Sequence, residues 1–218
     1  MIDVFLAGDS TMQTYDSSFA PQAGWGQFIA KYFSSDITFH NHAMGGRSSK
    51  TFITEGRLAA ILAEIKQGDY LFIQMGHNDS TKSRPERYTE AYDDYKKYLK
   101  QYVEGAREKG AIPILFTPVG RLHYVNGEFL ADFGDYCNAM KEVAEEQNVL
   151  LVDLNKKSIE YFSAIGYDQA FQLFMISVNG TDCTHFTEKG ANEIARIVSE
   201  GIKGLELELP NYLKLNQN

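Results

Sequence analysis

Four short segments, far apart in a chain of 218 residues, carry side chains suited to one reaction. They are Gly8-Asp9-Ser10-Thr11, Ala43-Met44-Gly45-Gly46-Arg47-Ser48, Gly76-His77-Asn78-Asp79 and Asp182-Cys183-Thr184-His185. A serine hydroxyl is a weak nucleophile until a base takes its proton. His185 supplies such a base. Asp182, three residues earlier, can hold one ring nitrogen through a tight loop and leave the other to face Ser10. A developing negative oxygen needs preorganised donors. Gly46 can offer its backbone N–H where a side chain would obstruct approach, Asn78 its amide, and Ser10 its own N–H. These parts suit acyl transfer to water through a serine ester.

Each segment also has a plainer reading. Ser10 would cap a following helix, Gly45-Gly46 would make a turn, and Asn78-Asp79 would cap another helix. Asp182 would form a turn with His185 on the surface, or the two would ligate a metal. A metal needs further ligands. The pair His40 and His42, two apart at a strand end, is the other grouping in view. We expect neither a metal nor a cofactor.

The elements that position these residues alternate between strand and helix. Ile2–Ala7, Ile37–Asn41, Tyr70–Met75, Ile112–Thr117 and Val149–Val152 are short apolar runs bounded by turn residues. Such runs fit strands of a parallel sheet buried on both faces. Helical patterns cover Trp25–Phe33, Glu55–Lys66, Tyr88–Lys109, Phe133–Gln147 and Thr187–Ile202, with Thr187 as an N-cap. Repeated βα units predict an α/β fold, a doubly wound sheet with right-handed crossovers. In such sheets ligands sit beyond the carboxyl ends of the strands. Ser10, Gly46 and Asn78 follow the first three strands, so all fall on one edge. Asp182 and His185 precede the last helix, in a loop that can return there. No repeat or low-complexity linker divides the chain, and a single domain over 1–218 is expected.

Other features read as structure. Tyr88, Tyr92, Tyr95, Leu99 and Tyr102 make a stripe that packs on the sheet with hydroxyls reaching its rim; the alternative is a sugar-stacking surface. Leu205-Glu206-Leu207-Glu208-Leu209 alternates like an edge strand or continues the last helix. Cys137 and Cys183 are expected as two reduced thiols, Cys183 as a small packing residue. The aromatics between Lys156 and Thr181 form a cleft wall or a minor core.

Composition narrows the function. Hydrophobic residues are 44% and charged residues 23%, ordinary for a globular chain. The formal charge is −8, which disfavours nucleic acids and anionic membranes as partners. Met1 runs directly into an apparent strand, so no signal peptide is expected. A cytoplasmic protein, or a secreted one whose leader is absent from this chain, both fit. Oligomeric state is not readable.

The four segments together resemble the SGNH (GDSL-type) hydrolase superfamily. Gly8-Asp9-Ser10 matches its first block, Gly46 its second, Gly76-His77-Asn78-Asp79 its third and Asp182-x-x-His185 its last. The run Asn41 to Ser48, then Glu55-Gly56-Arg57, Gly68-Asp69-Tyr70 and Asp182-Cys183-Thr184-His185-Phe186, is similar to rhamnogalacturonan acetylesterases. The first block reads Gly-Asp-Ser-Thr, not the Gly-Asp-Ser-Leu of the popular name, and this suits that branch. The resemblance implies a three-layer α/β/α sandwich with a flavodoxin-like parallel sheet of about five strands. It implies Ser10 as nucleophile, Asp182 and His185 as the rest of a triad, and Ser10, Gly46 and Asn78 as the oxyanion hole.

The substrate implied is an acetylated carbohydrate, pectin above all, or another small acyl ester. Pectin is polyanionic, and an acidic protein repels it at long range. Arg47, after Gly46, and Arg121, beyond the fourth strand, are candidate substrate contacts that could offset this; the alternative is surface ion pairs. His77 and Trp25 are further cleft candidates, with core or capping roles as the alternative. A broader short-chain lipase or carboxylesterase would use the same site, and a silent carbohydrate-binding relative would not need it.

Overall fold

Alternate residues of the buried strands face opposite helical layers. The computed structural model describes residues 2–214. In chain order the strands are β1 (Ile2–Gly8), β2 (Gln22–Ala23), β3 (Ile37–Asn41), β4 (Tyr70–Gln74), β5 (Ile112–Phe116), β6 (Tyr124–Val125), β7 (Glu128–Phe129), β8 (Leu150–Val152) and β9 (Phe186–Thr187). The helices are α1 (Ser49–Thr54), α2 (Arg57–Glu64), α3 (Lys96–Glu108), α4 (Gly134–Glu146), α5 (Leu154–Ile165), α6 (Tyr167–Phe171), α7 (Ile176–Asn179) and α8 (Glu188–Lys203).

The central sheet is parallel, with strand order β3-β1-β4-β5-β8. Numbered by their place in this sheet, the strands run 2-1-3-4-5, the flavodoxin-like order. Val4, Leu6, Phe72, Ile114 and Phe116 pack with Ile194 and Val198 of α8 on one face. Phe5, Ala7, Leu71, Ile73 and Leu115 pack with Leu58 and Ile61 of α2, Leu99 and Val103 of α3, and Met140 of α4 on the other. This alternation is the period-2 signature of strands buried on both sides. The expected three-layer α/β/α sandwich is present.

The order reverses between β1 and β4, the place where such sheets open a crevice at their carboxyl edge. The segments after β1 and β4 are those of Ser10 and Asn78.

Several helices differ from expectation. Trp25–Phe33 is not an α-helix but two 3₁₀ turns, Trp25–Gln27 and Ile29–Tyr32. The Trp25 and Gly26 N–H groups donate to the Thr11 and Met12 carbonyls. A Cβ at Gly26 would lie 2.4 Å from the Met12 carbonyl oxygen. The segment is pressed against the Ser10 loop, where no side chain fits.

Glu55–Lys66 is broken at its start by Gly56, whose φ of 76° is left-handed and separates α1 from α2. The expected Tyr88–Lys109 helix begins late, through a π-turn at Ala91–Tyr95. Thr89 is held out of it, because its N–H and hydroxyl both bond to Asp79.

Leu205–Leu209 is neither strand nor helix. Its leucines pack on the core without a partner strand, and Leu209 opens a 3₁₀ turn.

The stripe packs inward at Tyr95, Leu99 and Tyr102, whereas Tyr92 is 51% exposed and Tyr88 is half-buried. Tyr95 and Tyr102 are fully buried, and their hydroxyls donate to the Met75 and Ser49 carbonyls. Phe162 and Phe174 pack with Phe186 in the main core on the α8 face, so these rings of the 156–181 region extend that core instead of forming a separate one. Tyr167 stays outside, stacked on Tyr124. Both cysteines are free, Cys137 buried and Cys183 half-buried. Burial pushes the Cys137 thiol up to about 12.

Candidate active site

Asp9 makes the turn that lifts Ser10 out of the sheet. Its carbonyl accepts from the Met12 and Gln13 N–H groups, and its carboxylate accepts from the Thr11 N–H and hydroxyl. The next element after β1 is a 3₁₀ turn at Ser17–Phe19 capped by Asp16, so Ser10 sits on a separate turn and is not a helix cap. The Tyr15 hydroxyl donates to the Ser10 carbonyl at 2.8 Å. Burial is the main cause that raises the Tyr15 hydroxyl to about 12.

Beneath Ser10 runs a chain of buried hydrogen bonds. The Trp25 indole N–H donates to Gln74 at 3.0 Å, and the Gln74 amide donates to the Thr11 hydroxyl at 2.6 Å. Thr11 donates to Asp9, whose other oxygen meets His77 Nδ1 at 3.2 Å. His77 Nε2 faces the Val119 carbonyl at 3.0 Å. Burial opposes the Asp9 charge, but the His77 ring and the Thr11 donors outweigh it and hold the carboxyl below the usual range.

This chain corrects two expectations. Trp25 is wholly buried and His77 is 4% exposed with both ring nitrogens facing partners, so neither lines a cleft. Their polar atoms link the carboxyl ends of β1, β4 and β5 instead.

Asp182 shapes the fourth segment. One oxygen accepts from the Thr184 and His185 N–H groups at 2.9 and 3.0 Å. The other meets His185 Nδ1 at 2.7 Å. His185 Nε2 then lies 2.9 Å from Ser10 Oγ, across 175 residues of sequence. Burial raises the Asp182 carboxyl, yet the backbone donors and the His185 ring prevail and keep it below the usual range. The loop is fixed to its surroundings: Leu122 N–H donates to the Cys183 carbonyl, and Met175 N–H to the His185 carbonyl. Pairing of β2 with β9 (Ala23 with Phe186) joins it to the segment after Ser10.

The expected oxyanion donors come together at the same edge. Among the described residues, the N–H groups of Ser10 and Gly46 donate to no protein acceptor. Gly46 has a φ of 79°, a conformation that disfavours any side chain. Gly45 N–H is held by the Gln13 side chain. The Asn78 amide donates to the Arg47 carbonyl at 2.9 Å, which ties the Gly46 loop to β4 and leaves its second N–H available.

Arg47 bonds to Glu55 at 2.8 Å and to the Gly45 carbonyl at 2.8 Å. It braces the turn rather than facing outward alone. Arg121 has no ion pair among the described residues; its guanidinium lies 4.7 Å from the centre of the Phe133 ring. Reading the sequence missed Gln13, Tyr15 and Arg87. The first two fall just after Ser10, and Arg87 follows a strand at the same edge.

Asp79 anchors the loop after Asn78. Fully buried, it accepts from the Ser49 N–H and hydroxyl and from the Thr89 hydroxyl, with no ion pair among the described residues. Burial raises its carboxyl from 3.8 to about 6. A raised folded-state value contributes stability that is present below the unfolded pKa and lost as pH rises through about 6, roughly 3 kcal/mol in all. Asp79→Asn removes this dependence. The difference in unfolding free energy, wild type minus variant, is expected to fall by about 2 kcal/mol between about pH 4 and about pH 7. Urea unfolding at both values measures it, and a difference that is flat or rises with pH contradicts the assignment.

A hydroxyl, an imidazole and a carboxylate in line, with free N–H groups at the hydroxyl, can transfer an acyl group. Comparison with known proteins agrees with this chemistry. Residues 4–198 match the family model described as GDSL-like Lipase/Acylhydrolase. The chain is 58% identical over 206 residues to the probable rhamnogalacturonan acetylesterase YesY of Bacillus subtilis, covering 94% of each. It is 42% identical to the rhamnogalacturonan acetylesterase RhgT of Bacillus subtilis, covering 97% of this chain and 94% of the relative. The crystal structure of the Bacillus subtilis protein YxiM superposes with a TM-score of 0.84 at 31% identity, over 93% of this chain and 56% of that one. With the match spanning nearly all of its sheet and both ends of its site, the chain belongs to the GDSL-like lipase/acylhydrolase family.

Proposed function

We propose that this chain is a serine acetylesterase acting on acetylated plant cell-wall polysaccharide, with rhamnogalacturonan as substrate. The observation that carries the chemistry is the line from Ser10 Oγ through His185 to Asp182, at 2.9 and 2.7 Å. The names of the two most identical relatives cited above support the acetyl group and the polymer.

In this reading Ser10 Oγ attacks the ester carbonyl carbon as its proton passes to His185 Nε2. The Ser10 and Gly46 N–H groups and the Asn78 amide receive the oxygen that becomes negative. The tetrahedral adduct collapses, and the sugar oxygen leaves with the proton from His185. Water then repeats the sequence on the acyl-serine, releasing acetate.

The role of Asn78 has a direct measure. Asn78→Ala is expected to lower kcat on p-nitrophenyl acetate by about 10²–10³ with little change in KM. A fall below about fivefold excludes the amide as an oxyanion donor.

Acetate release from acetylated rhamnogalacturonan against acetylated xylan tests the polymer. Faster release from rhamnogalacturonan is expected, and a preference for xylan overturns that part of the reading. An acyl series from acetate to octanoate tests the leaving acid. Rates that climb toward octanoate would point to a broader lipase on the same site.

A further inference from the structure

Two guanidinium groups at the carboxyl edge, those of Arg87 and Arg121, make no hydrogen bond through their buried Nε atoms to any described residue. Neither side chain has a carboxylate within ion-pairing distance among the described residues. Leaving a buried donor unmet is unfavourable, the more so for a charged group. Such a group gains a partner from water or from a ligand.

The two differ in surroundings. Arg121 lies over the Phe133 ring, and Asp132, the residue before that ring, keeps a buried carboxylate oxygen without a partner. Among the described residues, Arg87 stacks on no aromatic ring and forms no ion pair. Its neighbour Glu86 is exposed. Arg47, the other cation of this region, is taken by Glu55 and the Gly45 carbonyl.

Arg87 reaches the Gly46 turn with its guanidinium uncommitted among the described residues. Its Nη1 lies 3.7 Å from the point where a Cβ at Gly46 would stand. The corresponding point at Gly45 is 3.5 Å from the Ser10 Cβ. Arg87 and Ser10 thus touch adjacent residues of one turn. The loop that carries Arg87 is held at both ends. Arg87 and Tyr88 N–H groups donate to the Arg84 carbonyl, and Thr89 is bonded twice to Asp79.

Resting on the reading of the substrate as an acetylated pectic chain, we propose that Arg87 binds a uronate carboxylate of that chain and so sets which ester reaches Ser10. A planar guanidinium matches a carboxylate with two parallel hydrogen bonds, and the half-buried setting strengthens them. One fixed cation beside the site also accounts for how a chain of formal charge −8 can hold a polyanion. The contact acts at short range, where the overall field does not decide the outcome.

Calorimetric titration of the intact chain with trigalacturonate tests this. The probe carries no ester, so the result is independent of which polymer is deacetylated. Wild type is expected to bind, and Arg87→Gln to bind at least about tenfold more weakly. The weakening is expected to exceed that for uncharged xylotriose by the same factor. Arg87→Lys keeps the charge without the fork and is expected to lose about threefold or more. If Arg87→Gln fails to fold, the lysine variant decides. No binding by wild type, equal affinity in wild type and variant, or equal weakening for trigalacturonate and xylotriose would each overturn the proposal. Failure of the polymer reading shows separately, as absent acetate release from rhamnogalacturonan.

Discussion

Ser10→Ala is expected to reduce kcat on p-nitrophenyl acetate by about 10⁴–10⁶ while the protein stays folded. The hydroxyl has one protein partner, His185 Nε2, and the side chain is half-exposed. Its removal leaves no buried group unmet, so the change in stability should stay within about 0.5 kcal/mol. The turn beneath it survives, because Asp9 and Tyr15 hold the Ser10 backbone through main-chain atoms. Donors at Ser10 N–H, Gly46 N–H and Asn78 persist, and they sustain the small residual rate expected over water. Retention of more than about a tenth of the wild-type kcat would remove Ser10 from the mechanism.

Asp182→Asn is expected to lower kcat by about 10⁴, for a reason visible in the hydrogen bonds. One Asp182 oxygen accepts from two backbone N–H groups, and the other faces His185 Nδ1. An asparagine must keep its carbonyl toward the two backbone donors. Its NH₂ then points at Nδ1, which becomes an acceptor. The ring proton moves to Nε2 and faces Ser10 Oγ, where a base is required. The loop keeps its shape while the imidazole presents the wrong nitrogen. Steady-state kcat with an unchanged circular dichroism spectrum checks both halves of this expectation. A loss below about tenfold would mean that Asp182 only shapes the loop.

Much of this arrangement is legible in the sequence, and the reason is the buried sheet. Ile37–Asn41 is read to the residue, and the other four central strands within one residue at an end. Runs such as Tyr70–Gln74 are apolar on both faces and leave few alternatives. Helices at the sheet's margin are less legible. Nothing local in Trp25–Phe33 reveals that its N–H groups go to Thr11 and Met12. Nothing in Tyr88–Thr89 reveals that Asp79 draws the chain away from the helix.

The site is uneven in the same way. Ser10, Asn78 and His185 announce themselves by type and by their place after strands or before a helix. Trp25 and His77 look like cleft residues by type, yet their contacts lie under the sheet edge. Arg87 has no local signature at all. Its distinction is what it lacks, and a missing partner is visible only when every neighbour has been placed.

The two-residue pairing of β2 with β9 makes catalysis a late event in the life of the chain. A nascent chain released before His185 already carries the hydroxyl, the glycine turn and the asparagine amide, and has no base. The base arrives only when α8 docks and Phe186 is drawn alongside Ala23. Ester hydrolysis therefore reports the closing of the chain's far end on its beginning. During refolding, recovery of activity requires that closure.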